Sequence, residues 1–280
     1  MARPHPPFDQ VVFSGGGTRC FWQGGFMHVA RDRVAPNPER ITAVSGGVLT
    51  GAGFIAHRGE QILSLMSEAF SDLDSNLKLD DLIEDEGITP HQRIYREVVT
   101  EAFPPEAIDA VAEGPDYHVL LAHPPTGPFA DLSATAATLA YEAELHLVSG
   151  PHFNWAERMG ITTSRVDARK AAREGMLVEL ICAAAVIPPL FALAKWEGKD
   201  VIDGGMSDQA PLPEPDEGTT LILLTRDYDR IPERDDRLYL APSEETEADK
   251  IDFTDPEKIA RTWEQGIKDA ELFLNNLQKN

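Results

Sequence analysis

Histidine is scarce in this chain and stops early: no histidine follows His152 in a sequence of 280 residues. In the Ser–acid–His order used by α/β-hydrolases, a triad here would need an acid placed before His146 or His152. Cysteine is scarcer still. Cys20 and Cys182 stand alone, too few for a disulfide framework and without zinc-ligand spacing, which suits a reducing, cytoplasmic setting. Basic residues are outnumbered: 25 Lys and Arg against 47 Asp and Glu leave a net charge of −22. A chain this acidic does not hold nucleic acid through its phosphates, and an anionic membrane does not attract it from a distance. Long apolar runs are missing too. The greasiest window, Met176 to Ala194, contains Glu179 and Pro188-Pro189, so it reads as a buried helix followed by a turn and a strand, not as a membrane span. The stretch Met1–Pro7 lacks the apolar core of a signal peptide. With no repeat, low-complexity tract or linker, residues 1–280 read as one domain.

What is present begins at Val11-Val12-Phe13, a strand-like run that ends in Ser14-Gly15-Gly16-Gly17-Thr18-Arg19 and leads into a helix from about Phe21 to Arg33. Glycines at a strand-to-helix junction leave amides uncovered, and amides at a helix start attract negative charge. That charge is a phosphate, a carboxylate or the oxyanion of an acyl transfer. A dinucleotide fingerprint is incomplete, because Cys20 holds the place of its third glycine, and no Gly-Lys-Ser/Thr of a Walker A loop occurs. Cys20 itself reads as a small buried residue. A second strand-turn-helix follows at Ile41-Thr42-Ala43-Val44-Ser45-Gly46-Gly47, with a helix from about Gly47 to His57. A serine on such a turn is pushed outward, as in a nucleophile elbow.

Periodicity along the rest of the chain predicts an α/β fold with a mostly parallel sheet. Strands are expected at Phe8–Phe13, Arg40–Val44, Tyr117–Ala122, Arg158–Val166 and Thr219–Arg226, with another at Leu238–Leu240. Leu190–Lys195 and Lys199–Ile202 read as a hairpin around Glu197-Gly198. Helices are expected at Glu60–Asp72, from Thr89-Pro90 to about Phe103, at Ser133–Leu147 and at Glu174–Ala185. Asp74–Gly87 and Pro124–Pro128 are read as loops. A last helix opens at Asp255-Pro256, spanning about 255–279.

A serine nucleophile needs a base. His146 and His152 lie outside any recognisable catalytic turn, whereas Asp203 sits at a strand end directly before Gly204-Gly205. Taken together, three ordered blocks resemble the patatin-like phospholipases. Gly15-Gly16-Gly17-Thr18-Arg19 matches their G-G-G-x-R block. Ala43-Val44-Ser45-Gly46-Gly47 matches G-x-S-x-G except at Ala43, and Asp203-Gly204-Gly205 matches D-G-G/A. The segment Cys182–Phe191 is similar to the alanine- and proline-containing stretch that precedes the last block. Besides Ala43, the departures are Ser14, where aspartate is frequent, and Cys20, where glycine is usual.

The resemblance, with core motifs over 11–213, implies a three-layer α/β/α sandwich and a Ser–Asp dyad. Ser45 would be nucleophile and Asp203 base, with the amides of Gly15, Gly16 and Gly17 as oxyanion hole. Arg19, Gly46, Gly204 and Gly205 would support these loops. The implied activity is hydrolysis of fatty-acyl esters of (phospho)lipids, without metal or cofactor. The alternatives are acyl transfer by the same dyad and a non-catalytic lipid-binding or regulatory scaffold. The implied partner is a lipid at a membrane or micelle surface, met by a cytoplasmic or peripheral protein. The weakly matching region 74–128 is a candidate lid, with Phe103, Ile108 and Val111 offering an apolar face to lipid.

Overall fold

The computed structural model describes residues 4–76, 89–125, 150–152, 155–158, 160–188, 191–249 and 255–279. The expected helix at Ser133–Leu147, His146 and most of the acidic stretch before Thr89 lie outside these residues. The described chain is mixed α/β, with a mostly parallel central sheet flanked by helices, as expected.

Eight strands form the sheet: β1 (Gln10–Phe13), β2 (Arg40–Val44), β3 (Asp116–His123), β4 (Thr162–Asp167), β5 (Ala194–Trp196), β6 (Lys199–Asp203), β7 (Thr220–Leu223) and β8 (Arg237–Leu240). Their order is β5-β6-β3-β2-β1-β7-β8, with β4 also paired to β3. The run β3-β2-β1-β7-β8 is parallel, and β4, β5 and β6 join antiparallel at the β3 side.

Both faces of the central strands are covered, as a parallel sheet requires. Val11 and Phe13 of β1, with Leu221 and Leu223 of β7, face the large helical core. The alternate residues Val12 and Ile222 face a smaller cluster with Ala210, Leu224 and Tyr228. The period of two explains why these strands read as unbroken apolar runs. The large core receives α1 (Phe21–Val34), α2 (Gly46–Ala56), α3 (Gly59–Asn76), α4 (Pro90–Ala102) and α5 (Pro105–Glu113). It also receives α7 (Ala168–Arg173), α8 (Leu177–Ala184) and the long α9 (Pro256–Leu277), with Ala156 from the one-turn α6 (Trp155–Arg158).

One constraint in this topology places the site. β2 runs along one edge of β3 as far as Val44, opposite Leu120. β4 occupies the other edge from His118 to His123, pairing Leu120, Leu121 and Ala122 with Arg165, Ser164 and Thr163. The remaining partner of Leu121 and Ala122 is β6, which must therefore continue the edge that β2 vacates, with Asp203 opposite Leu121. The ends of β2 and β6 meet at successive positions of one strand.

Several expectations need correction. The strand expected at Arg158–Val166 starts only at Thr162. Residues Trp155–Arg158 form a turn of helix, and the chain reverses at Gly160, where φ is +80°. The helix expected at Glu174–Ala185 begins only at Leu177, as α8, beyond the turn at Gly175, and it is preceded by α7, a helix that was not expected and that Asp167 caps through the Lys170 N–H. Pro104-Pro105 ends α4 as expected, but Pro105 also starts α5. The apolar face offered to lipid by Phe103, Ile108 and Val111 is not available. Phe103 and Val111 are 2% and 0% exposed inside the main core, and Ile108 packs against it.

The terminal helix is where expected. Asp255 accepts the Glu257 and Lys258 N–H groups at 3.0 and 3.3 Å, which answers two of the three orphan donors left at that end by Pro256, which has no N–H. Asp255→Ala is expected to destabilise the protein by about 1 kcal/mol, with Asp255→Asn recovering most of it. Urea unfolding of the three proteins checks this, and an unchanged midpoint in the alanine variant refutes it.

Candidate active site

Ser45 occupies the step between β2 and α2, with φ 57° and ψ −138°. A positive φ is costly for a residue with a side chain and persists only where the surroundings impose it. Here the glycines that follow permit the turn. A Cβ on Gly47 would stand 2.5 Å from the Phe13 carbonyl oxygen, and one on Gly46 would stand 2.5 Å from that of Gly17. The α2 start therefore lies directly on the loop after β1. Ser45 stands at the N-cap, yet its hydroxyl caps nothing. Instead its Oγ donates to Asp203 Oδ2 at 2.6 Å.

Asp203 ends β6. Its own N–H donates to the Val186 carbonyl at 2.8 Å, and its Oδ1 accepts the Gly205 N–H at 2.8 Å. The backbone is fixed on one side and the carboxylate is oriented on the other. Gly204 is needed for contact: a Cβ there would lie 2.3 Å from the Leu120 carbonyl oxygen, the strand position beside Asp203's own partner. Ser45 and Asp203 are each 2% exposed.

The glycine loop is held from far along the chain. Gly15 N–H donates to the Gln209 carbonyl at 2.8 Å, and the Thr225 hydroxyl donates to the Gly15 carbonyl at 2.7 Å. Gln23 Nε2 donates to the carbonyls of Ser14 and Leu223. Of the three amides expected to face an oxyanion, that of Gly15 is thus already engaged. Among the described residues, those of Gly16 and Gly17 donate to no backbone carbonyl. Gly17 opens a short 3-10 turn at φ +57° that ends at Cys20. Arg19 reaches Asp249 at 3.1 Å, and the Thr18 hydroxyl donates to the Asp249 carbonyl, so this end of the loop is tied to the segment before α9.

A cleft opens over Ser45, walled by Leu49, Ile62, Met66, Tyr95 and Phe191. Burial holds the Tyr95 phenol well above its ordinary pKa, and its neighbours Cys182, Cys20, Tyr117 and Asp203 add to this. The arrangement is a hydroxyl bonded to a buried carboxylate, facing an apolar cleft, beside a loop with uncommitted amides.

The sequence matches the family described as patatin-like phospholipase over residues 11–216. The chain belongs to this family. A search of curated proteins finds no match. Among solved structures, VipD from Legionella pneumophila is similar at 11% identity and a TM-score of 0.47, over 97% of this chain and 67% of that one.

The departures of this patatin-like chain from its family's motifs are absorbed locally. Ala43 is fully buried in the main core opposite Phe13, so its methyl fills core space and the turn still forms. Cys20 is 3% exposed, with its thiol 3.5 Å from the Ser14 carbonyl. Sequence reasoning missed Gln209, Gln23, Thr225 and Asp249. Gln209, Thr225 and Asp249 act on the glycine loop across a long sequence separation, whereas Gln23 lies four residues after Arg19 and Gln209 four after Gly205, each near a motif.

Of the two histidines weighed against Asp203, His146 lies outside the described residues and His152 is engaged with other groups. His152 Nδ1 is 3.0 Å from Asp208 Oδ1 and its Nε2 is 3.0 Å from the Tyr239 hydroxyl, so both ring nitrogens are occupied away from Ser45. His152→Gln is expected to leave kcat within about tenfold, less than the loss of a general base costs. A fall comparable to that of the serine variant, in a folded protein, would overturn this.

Proposed function

We propose that the protein is a serine acyl hydrolase that cleaves fatty-acyl esters of lipids through Ser45 and Asp203. The observation that carries this reading is the 2.6 Å bond from Ser45 Oγ to Asp203 Oδ2 on a positive-φ turn that opens into an apolar cleft. Coarser support is the family itself, whose described members are phospholipase-like.

The chemistry follows from the geometry. Ser45 Oγ attacks the ester carbonyl carbon as Asp203 Oδ2 takes its proton, and the carbonyl π electrons move onto oxygen. The Gly16 and Gly17 amides receive that oxyanion, usually one of the larger contributions in acyl transfer. Collapse expels the alcohol, which leaves with the proton from Asp203. The acyl-enzyme is then attacked by water, whose proton Asp203 accepts, and the fatty acid departs as Ser45 recovers its hydrogen. The Gly205 N–H on Oδ1 keeps Oδ2 turned toward the serine throughout.

The acyl chain has an evident place. The cleft walls are apolar, and each buried methylene contributes about 0.8 kcal/mol. Among the described residues no helix is long and apolar enough to cross a membrane. At a net charge of −22, contact with aggregated lipid rests on apolar surface. Turnover of micellar substrate is therefore expected to persist as salt is raised from low to physiological strength, since apolar contact is not screened. A steep loss over that range would point to charge-driven docking instead.

Ser45→Ala is expected to stay folded and to lose at least about 10³-fold in esterase turnover, with Asp203→Asn similarly impaired. Wild-type protein should react with a fluorophosphonate probe, and the alanine variant should not. Substantial activity in folded Ser45→Ala protein would remove the assignment.

A further inference from the structure

Among the described residues that line the cleft over Ser45, few carry a polar side chain, and all but one of these are already engaged. Ser45 donates to Asp203, and the Thr18 hydroxyl donates to the Asp249 carbonyl. The Thr50 hydroxyl stays on its own helix, 3.4 Å from the Gly46 carbonyl, and the Cys20 thiol lies 3.5 Å from that of Ser14. Tyr95 is the exception. It lines the same cleft and is 8% exposed, and its hydroxyl makes no hydrogen bond among the described residues. The other phenol buried nearby, Tyr117, donates to the Val48 carbonyl at 2.6 Å. A buried hydroxyl without a partner is costly, and one that persists in a cleft points to a partner that the ligand brings.

Tyr95 is held in place from both sides. It sits on α4 between Gln92 and Arg96. Gln92 exchanges two hydrogen bonds with the backbone of Ala192, donating from Nε2 at 3.4 Å and accepting at Oε1 at 3.2 Å. Arg96 Nη2 donates to Glu179 of α8 at 2.6 Å. The Tyr95 ring packs on Phe191, with 5.9 Å between centroids. Burial, and then Cys182, Cys20, Tyr117 and Asp203, hold the phenol well above its ordinary pKa, so the hydroxyl keeps its proton and stays a donor. Two of those neighbours place it along the cleft. Asp203 holds the Ser45 hydroxyl, and Cys20 lies against the start of the glycine loop. The donor therefore belongs to the carbonyl end of a bound acyl chain.

We infer that the cleft selects an acyl chain that carries a hydroxyl group close to its ester carbonyl, with the chain's hydroxyl oxygen accepting a hydrogen bond from Tyr95. The inference deepens the acyl-hydrolase reading above and rests on it. A plain alkyl chain in the same place takes water from the phenol and returns no partner. A hydroxylated chain restores the bond. Discrimination of this kind comes as much from the penalty on the wrong chain as from attraction to the right one. Tyr95 is then a specificity-determining residue, and Asp203 remains the base.

Two measurements test this. The first compares kcat/KM for p-nitrophenyl dodecanoate with its α-hydroxy, β-hydroxy and ω-hydroxy derivatives in the same micelles, each divided by its rate of hydrolysis by hydroxide. Wild-type protein is expected to favour the α- or β-hydroxy ester at least about tenfold over the plain one, the scale of one buried hydrogen bond. Tyr95→Phe keeps the ring and removes only the donor, and should lose that preference. No preference in the wild type, a preference confined to the ω-hydroxy ester, or one that survives in Tyr95→Phe overturns the inference. The second measurement needs no turnover. Methyl dodecanoate and its α- and β-hydroxy derivatives are titrated into Ser45→Ala protein by calorimetry, with and without Tyr95→Phe. Tighter binding of a hydroxy ester, lost in the double variant, is expected. Equal affinities for plain and hydroxy esters, or no binding of any, overturn the inference. A wild-type protein that neither hydrolyses these esters nor reacts with a fluorophosphonate would instead strike the hydrolase reading, and the titration would still decide this one.

Discussion

The edge of β3 is the constraint on which the site depends. Val44 ends β2 opposite Leu120, and Asp203 ends β6 opposite Leu121. Backbone pairing therefore brings a serine and an aspartate far apart in sequence to within a hydrogen bond. Neither residue is placed by its own loop alone. The serine is aimed by a strained turn, the aspartate by its bonds to Val186 and Gly205, and the strand between them sets the separation. Burial of both groups then strengthens their interaction, because little water remains to compete.

The glycine loop shows a second kind of dependence. It follows β1, but its conformation is held by Gln209, Thr225 and Gln23, and its far end is tied to Asp249. Residues beyond Asp203 thus shape a loop near the start of the chain. The occupied Gly15 amide belongs to this anchoring: its N–H secures the backbone, while among the described residues the next two donate to no backbone carbonyl.

The motifs were legible in sequence because their requirements are local. A positive-φ serine needs small residues after it, so Ser45-Gly46-Gly47 could be read directly. The same holds for Arg40–Val44, the Glu197-Gly198 hairpin and the Asp255 cap. The cleft walls were not legible. Ile62, Met66, Tyr95 and Phe191 come from three separate segments, and their convergence is a property of helix packing on the sheet. Phe103 and Val111 were misread for the same reason: periodicity identifies an apolar face but does not say whether core or lipid covers it. The helix α7 was not read at all, because six residues are too short a stretch for helical periodicity to stand out.

The pairing of β6 with β3 also governs how this chain can vary in length. Among the described residues between His123 and Lys199 lie β4, two short helices, α8 and the hairpin strand β5. What brings Asp203 to Ser45 is the pairing of β6 with β3, not the number of residues in the loops between these elements. Insertions and deletions there are tolerable so long as Ala122 still meets Ile202. A slip of one residue in that pairing would turn the Asp203 side chain to the opposite face of the sheet. Tolerance to length change and intolerance to register change thus coexist in the same part of the fold.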